Sequence, residues 1–172
     1  MHRHLARTVV FAIIAAGFTA PAAAQDRACS NASLRGTWAY TETGSVIAPA
    51  SPTSTITILA AAVGTYTFDN DGNFTGTQYS SANGAISHDT KQGTYIVNPD
   101  CTGTLDLFAT NQAGVVARHS VWSFVIADRE QELRSIMRSM EVLTSVPPTP
   151  LAPIMTMSAR KLFPGRANGQ DE

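Results

Sequence analysis

The sequence predicts an all-β domain in which one small antiparallel sheet curls until it closes. Three observations carry that expectation. Thr, Tyr, Trp, Phe, Val and Ile gather in short runs separated by Gly, Asn, Asp and Ser, the pattern of strands joined by turns. The dipeptide Gly-Thr recurs at Gly36, Gly64, Gly76, Gly93 and Gly103, where such runs begin or bend. Clusters of Asn, Asp and Gly, which accept tight-turn geometry, lie between the runs. Glycine lets a sheet bend or coil sharply, and the neighbouring threonine favours extended backbone. Repeated glycine hinges are what a small sheet needs for closure. Their spacings of 28, 12, 17 and 10 residues are too irregular for a sequence repeat.

Residues 1–24 read as a leader. His2, Arg3, His4 and Arg7 make a basic start, Thr8 to Ala20 is an apolar run, and Pro21-Ala22-Ala23-Ala24 ends it. That order is a signal peptide with an A-x-A cleavage site, and cleavage is expected before Gln25. The run falls short of the roughly 20 apolar residues that span a membrane. Asp26-Arg27-Ala28 separates it from Cys29, which argues against a lipid anchor at that cysteine. Residues 25–163 then form a single barrel domain, with 164–172 as a flexible tail. The expected location is secreted or periplasmic.

The elements follow in order. A first strand covers 36–43, with Trp38, Tyr40 and Glu42 on one face. Ala48 to Thr53 is read as a proline-bearing loop. A second strand covers 55–68 and bends at Gly64. Asp69-Asn70-Asp71-Gly72 is a hairpin turn. Strands over 74–81, 90–98, 102–110 and 115–127 follow, separated by turns at Asn83-Gly84, Asn98-Pro99-Asp100 and Asn111 to Gly114. The stretch after Ala127 has two readings. Asp128 to Gln131 as a capping box, with Leu133, Ile136, Met137 and Met140 at helical spacing, gives a helix. Asp128-Arg129-Glu130 as a turn gives a strand over 131–138. Pro147, Pro148, Pro150 and Pro153 are expected to forbid regular structure, and a last strand covers 154–162.

Charge excludes some functions. Without Arg3 and Arg7 the chain carries 10 basic and 13 acidic residues, a net charge of −3. No basic run supports a nucleic-acid partner. No basic amphipathic helix suggests a membrane surface. Cys29 and Cys101 are the only cysteines, and an even count in an exported chain points to a disulfide.

Three segments, CSNASLRGTWAY (Cys29–Tyr40), GTYTFDNDGNFTGT (Gly64–Thr77) and GTYIVNPDCTGTL (Gly93–Leu105), resemble a group of small exported bacterial proteins. That group is similar to calycin-type and allene-oxide-cyclase-like barrels. The resemblance covers roughly Cys29 to Ala127. It implies an eight-stranded antiparallel up-and-down barrel and a Cys29–Cys101 bond. It also implies the strand reading at 131–138, followed by a long loop from Met140 to Pro153. Leu34-Arg35-Gly36-Thr37-Trp38 is similar to the lipocalin Gly-x-Trp signature. By that resemblance Trp38 plugs the closed end, and Arg160 would stack on it. The Thr-Asp-x-Tyr motif of that family is missing.

An eight-stranded barrel has a bore that side chains fill or that holds one small ligand. Trp38, Tyr40, Tyr66, Phe68, Tyr95, Phe108 and Trp122 are the ligand-lining candidates, and the same set read as packing is simply the core. His119 and Glu42 are the catalytic candidates, since either inside a lumen could move a proton. Asp106 is a third acid, and alternation can equally place each of the three on the solvent face. His88 falls in a loop. Asp69, Asp71 and Asn73 lack the glutamate and flanking helices of an EF-hand, so no metal site is expected. Asn31 and Asn73 begin glycosylation sequons, which matter only in a eukaryotic secretory host. No nucleophile elbow, phosphate loop or dinucleotide fingerprint is present, and no cofactor is expected. The functional expectation is a lumen binder of a small apolar molecule. The rivals are an allene-oxide-cyclase-like isomerase and a filled envelope or interaction module.

Overall fold

The computed structural model describes residues 28–162. The leader expected over 1–24 and the tail expected over 164–172 lie outside the described residues. A short helix α1 (Asn31–Leu34) precedes eight strands: β1 (Gly36–Ser51), β2 (Ser54–Phe68), β3 (Asn73–Ala82), β4 (Ala85–Val97), β5 (Thr102–Thr110), β6 (Val116–Ala127), β7 (Glu132–Val142) and β8 (Thr149–Lys161). Each strand pairs antiparallel with the next, and β8 returns to β1, so the sheet is a closed up-and-down barrel. Closure leaves no free sheet edge.

The Gly-Thr habit has a packing explanation. Gly64 pairs with Tyr40, Gly76 with Tyr66 and Gly103 with Phe124. In each pair the aromatic ring lies across the glycine, so that an added Cβ would fall 2.6, 2.6 and 2.2 Å from ring or hydroxyl atoms. The glycines make room inside the barrel for large rings, and the sheet bends there.

One end of the barrel is sealed. Leu34 and Trp38 are fully buried, and Trp38 Nε1 donates to the Leu34 carbonyl at 2.7 Å. Asn31 ties α1 to β4: its Oδ1 accepts from Val97 N–H at 3.0 Å, and its carbonyl accepts from Tyr95 O–H at 3.0 Å. The Cys29–Cys101 disulfide fixes the same segment to the β4–β5 turn. Above α1 lie Phe68, Phe74 and Tyr95, whose rings meet at 5.0–5.4 Å between centroids. Leu105, Trp122 and Leu133 complete this dry core.

Several boundaries differ from the sequence reading. β1 runs through Pro49, in the stretch expected to be a loop, to Ser51. The β1–β8 pairing ends at Ile47, so Pro49 meets no demand for a donor on that side. β8 begins at Thr149 and includes Pro150 and Pro153, in a stretch expected to be irregular. The β7–β8 ladder is interrupted between Ile136 and Met140, and Pro153 falls in that gap. The long loop expected from Met140 to Pro153 therefore shrinks to residues 143–148. The strand reading holds after Ala127. The turn before it is unusual, with Asp128, Arg129 and Glu130 all at positive φ. Arg160 is exposed; Lys161 instead sits over the Trp38 ring, 5.3 Å from its centroid.

Candidate functional site

Strand alternation places a polar layer directly above the aromatic core. Glu42 on β1, Gln78 on β3, Asp89 and Lys91 on β4, and Ser120 on β6 are all buried. Arg118, also on β6, is partly exposed, its side chain 33% accessible. The registers explain the grouping. Lys91 lies opposite Ala109 on β5, and Ala109 lies opposite Arg118. The small Ala109 side chain leaves room for Arg118 to reach across β5 and ion-pair with Asp89.

Glu42 is held differently. Its Oε1 accepts from Tyr66 O–H at 3.4 Å and its Oε2 from Gln78 Nε2 at 3.2 Å. Tyr66 in turn stacks on Tyr40 at 4.3 Å, which fixes the donor. Burial pushes the Glu42 carboxyl above the ordinary carboxylate range, against the opposing pull of Lys91, Tyr66, Arg118 and Gln78. Burial likewise pulls the Lys91 ammonium down. Glu42 and Asp89 oppose that shift and Arg118 adds to it. Tyr40 and Tyr66 are raised for the same reason, so both remain neutral hydroxyls.

Two polar groups in this layer lack partners. Gln78 Oε1 is buried with no hydrogen bond among the described residues. Lys91 makes no hydrogen bond or ion pair among the described residues, whose ion pairs are Arg118–Asp89, His119–Asp106 and Arg134–Glu132. Both side chains line a cavity of about 230 Å³ in the half of the barrel away from α1. Its walls are mainly apolar: Val46, Ile58, Ala60, Met140, Leu151 and Met155. Lys91, Arg118 and Gln78 supply polar groups from the layer beneath. The bore is thus packed at one end and hollow at the other.

The sequence candidates divide between these regions. Trp38, Tyr40, Tyr66, Phe68, Tyr95 and Trp122 all point inward and are buried. None of them lines the cavity, however, because they form the packed layer below it. Phe108 is a correction: it faces outward, 36% exposed, at an odd step from the inward Leu107 and Ala109. His119 and Asp106 are also outside the lumen. They hydrogen-bond each other at 3.0 Å on the outer wall, and His119 stacks on Phe108 at 4.6 Å. Alternation with the inward Ser120 and Trp122 forces His119 outward. His88 lies on β4, where a loop was expected, and stacks outward on Tyr79 at 4.3 Å. Of the two catalytic candidates, only Glu42 is inside. Asp69 uses its carboxylate to accept from Asp71 and Asn73 within its hairpin. No group of three metal-ligating side chains is found among the described residues.

Sequence reasoning missed Lys91, Gln78, Asp89 and Arg118. The signal was present in β4, where Asp89, Lys91, Gly93, Tyr95 and Val97 alternate on one face. A lysine in phase with Tyr95 and Val97 faces the core. Among the described residues, no helix is long and apolar enough to cross a membrane. No protein-family model matches this chain, and no curated protein matches it.

Proposed function

We propose that the protein is an exported barrel that binds one small, mainly apolar molecule in the hollow half of its bore. The observation that carries this reading is the cavity of about 230 Å³ with apolar walls and a polar floor. Ligand sites share that character, with apolar surface for affinity and a few placed polar groups for orientation. Burial of the ligand against Val46, Ile58, Met140 and Leu151 supplies the driving force, roughly 25 cal/mol per Å² of apolar surface removed from water. Lys91, Arg118 and the free Gln78 Oε1 orient one polar end. The disulfide supports export, since such bonds persist in oxidising compartments.

Titration calorimetry with 1-octanol tests the reading on the purified protein, alongside native mass spectrometry for a carried ligand. Saturable binding that Ala60→Phe abolishes is the expected result. Ala60 lines the cavity, and a phenyl ring there fills it. Octanol binding unaffected by Ala60→Phe, or no binding at all, overturns it. The isomerase alternative retains Glu42, the catalytic candidate that is buried inside the barrel. The filled-module alternative calls for a dry bore, against which the cavity stands.

A further inference from the structure

Lys91 is a strange residue to place at the floor of an apolar pocket. It is 7% exposed, it lines the cavity, and no acceptor among the described residues meets its amine. A buried cation is normally matched by a direct partner, because the cost of leaving one unmatched is several kcal/mol. Arg118 next to it has such a partner in Asp89. Glu42, the other interior acid, makes its hydrogen bonds to Tyr66 and Gln78 instead. Among the described residues, Lys91 is therefore the basic group of the layer left to meet whatever enters the cavity.

We propose that Lys91 is a nucleophile that captures an aldehyde or ketone of apolar body as an imine, with Glu42 as the proton source. This rests on the binding reading above and names its ligand class. The amine nitrogen forms a bond to the carbonyl carbon, the carbon–oxygen π bond breaks, and the proton the nitrogen gives up passes to the oxygen to give a carbinolamine. The carbon–oxygen bond then breaks. Oxygen leaves as water with the proton from the Glu42 carboxyl, and the nitrogen lone pair completes the carbon–nitrogen double bond. The products are a protonated imine on Lys91, one water and a Glu42 carboxylate as counter-ion. No oxidant or reductant is involved, and hydrolysis reverses every step.

Three features suit this chemistry. Desolvation favours the neutral amine, which is the nucleophilic form, and Arg118 beside it works in the same direction. Desolvation also favours the protonated Glu42, the form that can donate. Apolar walls exclude the bulk water that would hydrolyse the imine.

The chain contains only two lysines, Lys91 and Lys161, which makes the test clean. The protein is incubated with octanal and sodium cyanoborohydride, and the octylated positions are read by peptide mass spectrometry. Lys91 should be alkylated at least about tenfold faster than Lys161, because the cavity holds the aldehyde against its amine. Lys91→Met should lose that adduct, Glu42→Gln should slow its formation, and Lys161→Met, outside the cavity, should leave both the Lys91 adduct and 1-octanol binding unchanged. If 1-octanol binds but Lys91 reacts no faster than Lys161, the imine proposal fails and the pocket reading survives. If neither octanol nor octanal engages the cavity, both fail.

Discussion

The polar layer inside the barrel gives the most informative perturbation, Glu42→Gln combined with Lys91→Met. Glu42 is 3% exposed and Lys91 7%. A carboxylate offers about four acceptor positions, and Glu42 fills two of them, at 3.4 and 3.2 Å. Lys91 offers three N–H donors, and none is met among the described residues. Replacing buried ionisable groups with neutral groups of similar volume removes their desolvation cost, and even for buried ion pairs such a change is often neutral or stabilising by about 1–4 kcal/mol. The expected result is therefore a double variant more stable than the parent by about 1–4 kcal/mol near neutral pH.

The pH dependence sharpens the expectation. The raised Glu42 carboxyl keeps its proton in the native state where the unfolded chain has lost it. Its contribution makes stability fall as pH rises from about 4.5 upward through the folded value. The lowered Lys91 ammonium loses its proton sooner in the native state, so its contribution makes stability rise as pH climbs toward 10.5. The double variant lacks both slopes. Urea unfolding followed by the fluorescence of the buried Trp38 and Trp122, repeated across pH, measures the difference. A double variant less stable than the parent by more than about 1 kcal/mol refutes the reasoning, because the charges would then be stabilising the fold.

Other expectations concern the scaffold. Leu105→Ala removes a fully buried side chain from the dry core and should cost about 2–5 kcal/mol in urea unfolding. Replacing Cys29 and Cys101 by alanine opens a closed loop of 72-residue separation and should cost about 4 kcal/mol in the chain-entropy model. Denaturation with and without a reductant measures the same effect. Gly64→Ala would place a Cβ 2.0 Å from the Thr77 carbonyl and 2.6 Å from the Tyr40 hydroxyl. The loss should reach at least the 1–3 kcal/mol typical of overpacking, visible as a lower urea midpoint. Lys161→Met removes the cation over Trp38 and its bond to the Ser33 carbonyl, and should lower stability by only about 1 kcal/mol in the same assay.

The fold was largely legible because a barrel leaves a period-two signature and turns carry their own chemistry. Asp69 to Gly72 and Asn83-Gly84 are turns for the reasons the sequence shows. The stretch after Ala127 carried a helical reading beside the strand for a definable reason. Leu133, Ser135 and Met137 face inward, then Met140 and Val142 do, because the β6–β7 register shifts between Val121 and Trp122. One extra residue converts a period of two into spacings of four and three, which imitate a helix. Outer-wall stacking misled in another way. Phe108 and His119 look like lumen residues by type, yet Leu107 and Ser120 beside them take the inward positions. Which face of a strand is inside follows from register with neighbouring strands, and residue type alone does not supply it.

The hollow half of the bore follows from volume along the inward faces. Eight strands set a bore of roughly constant width, just wide enough for side chains to fill. The inward positions of β2 read Ile58, Ala60, Ala62, Gly64, Tyr66 and Phe68. Those of β3 read Phe74, Gly76, Gln78 and Ser80. Large rings occupy the end near α1, and small groups occupy the other. A bore of fixed width lined by alanine and serine is left with unfilled space, and interiors seldom carry voids much larger than a water molecule without a reason. The polar layer sits at the boundary between the two halves, where Glu42 and Lys91 are both buried and Lys91 lines the cavity. A barrel built only for stability would continue the rings upward and omit the charges, so the costly layer under an apolar cavity argues for a ligand on those grounds.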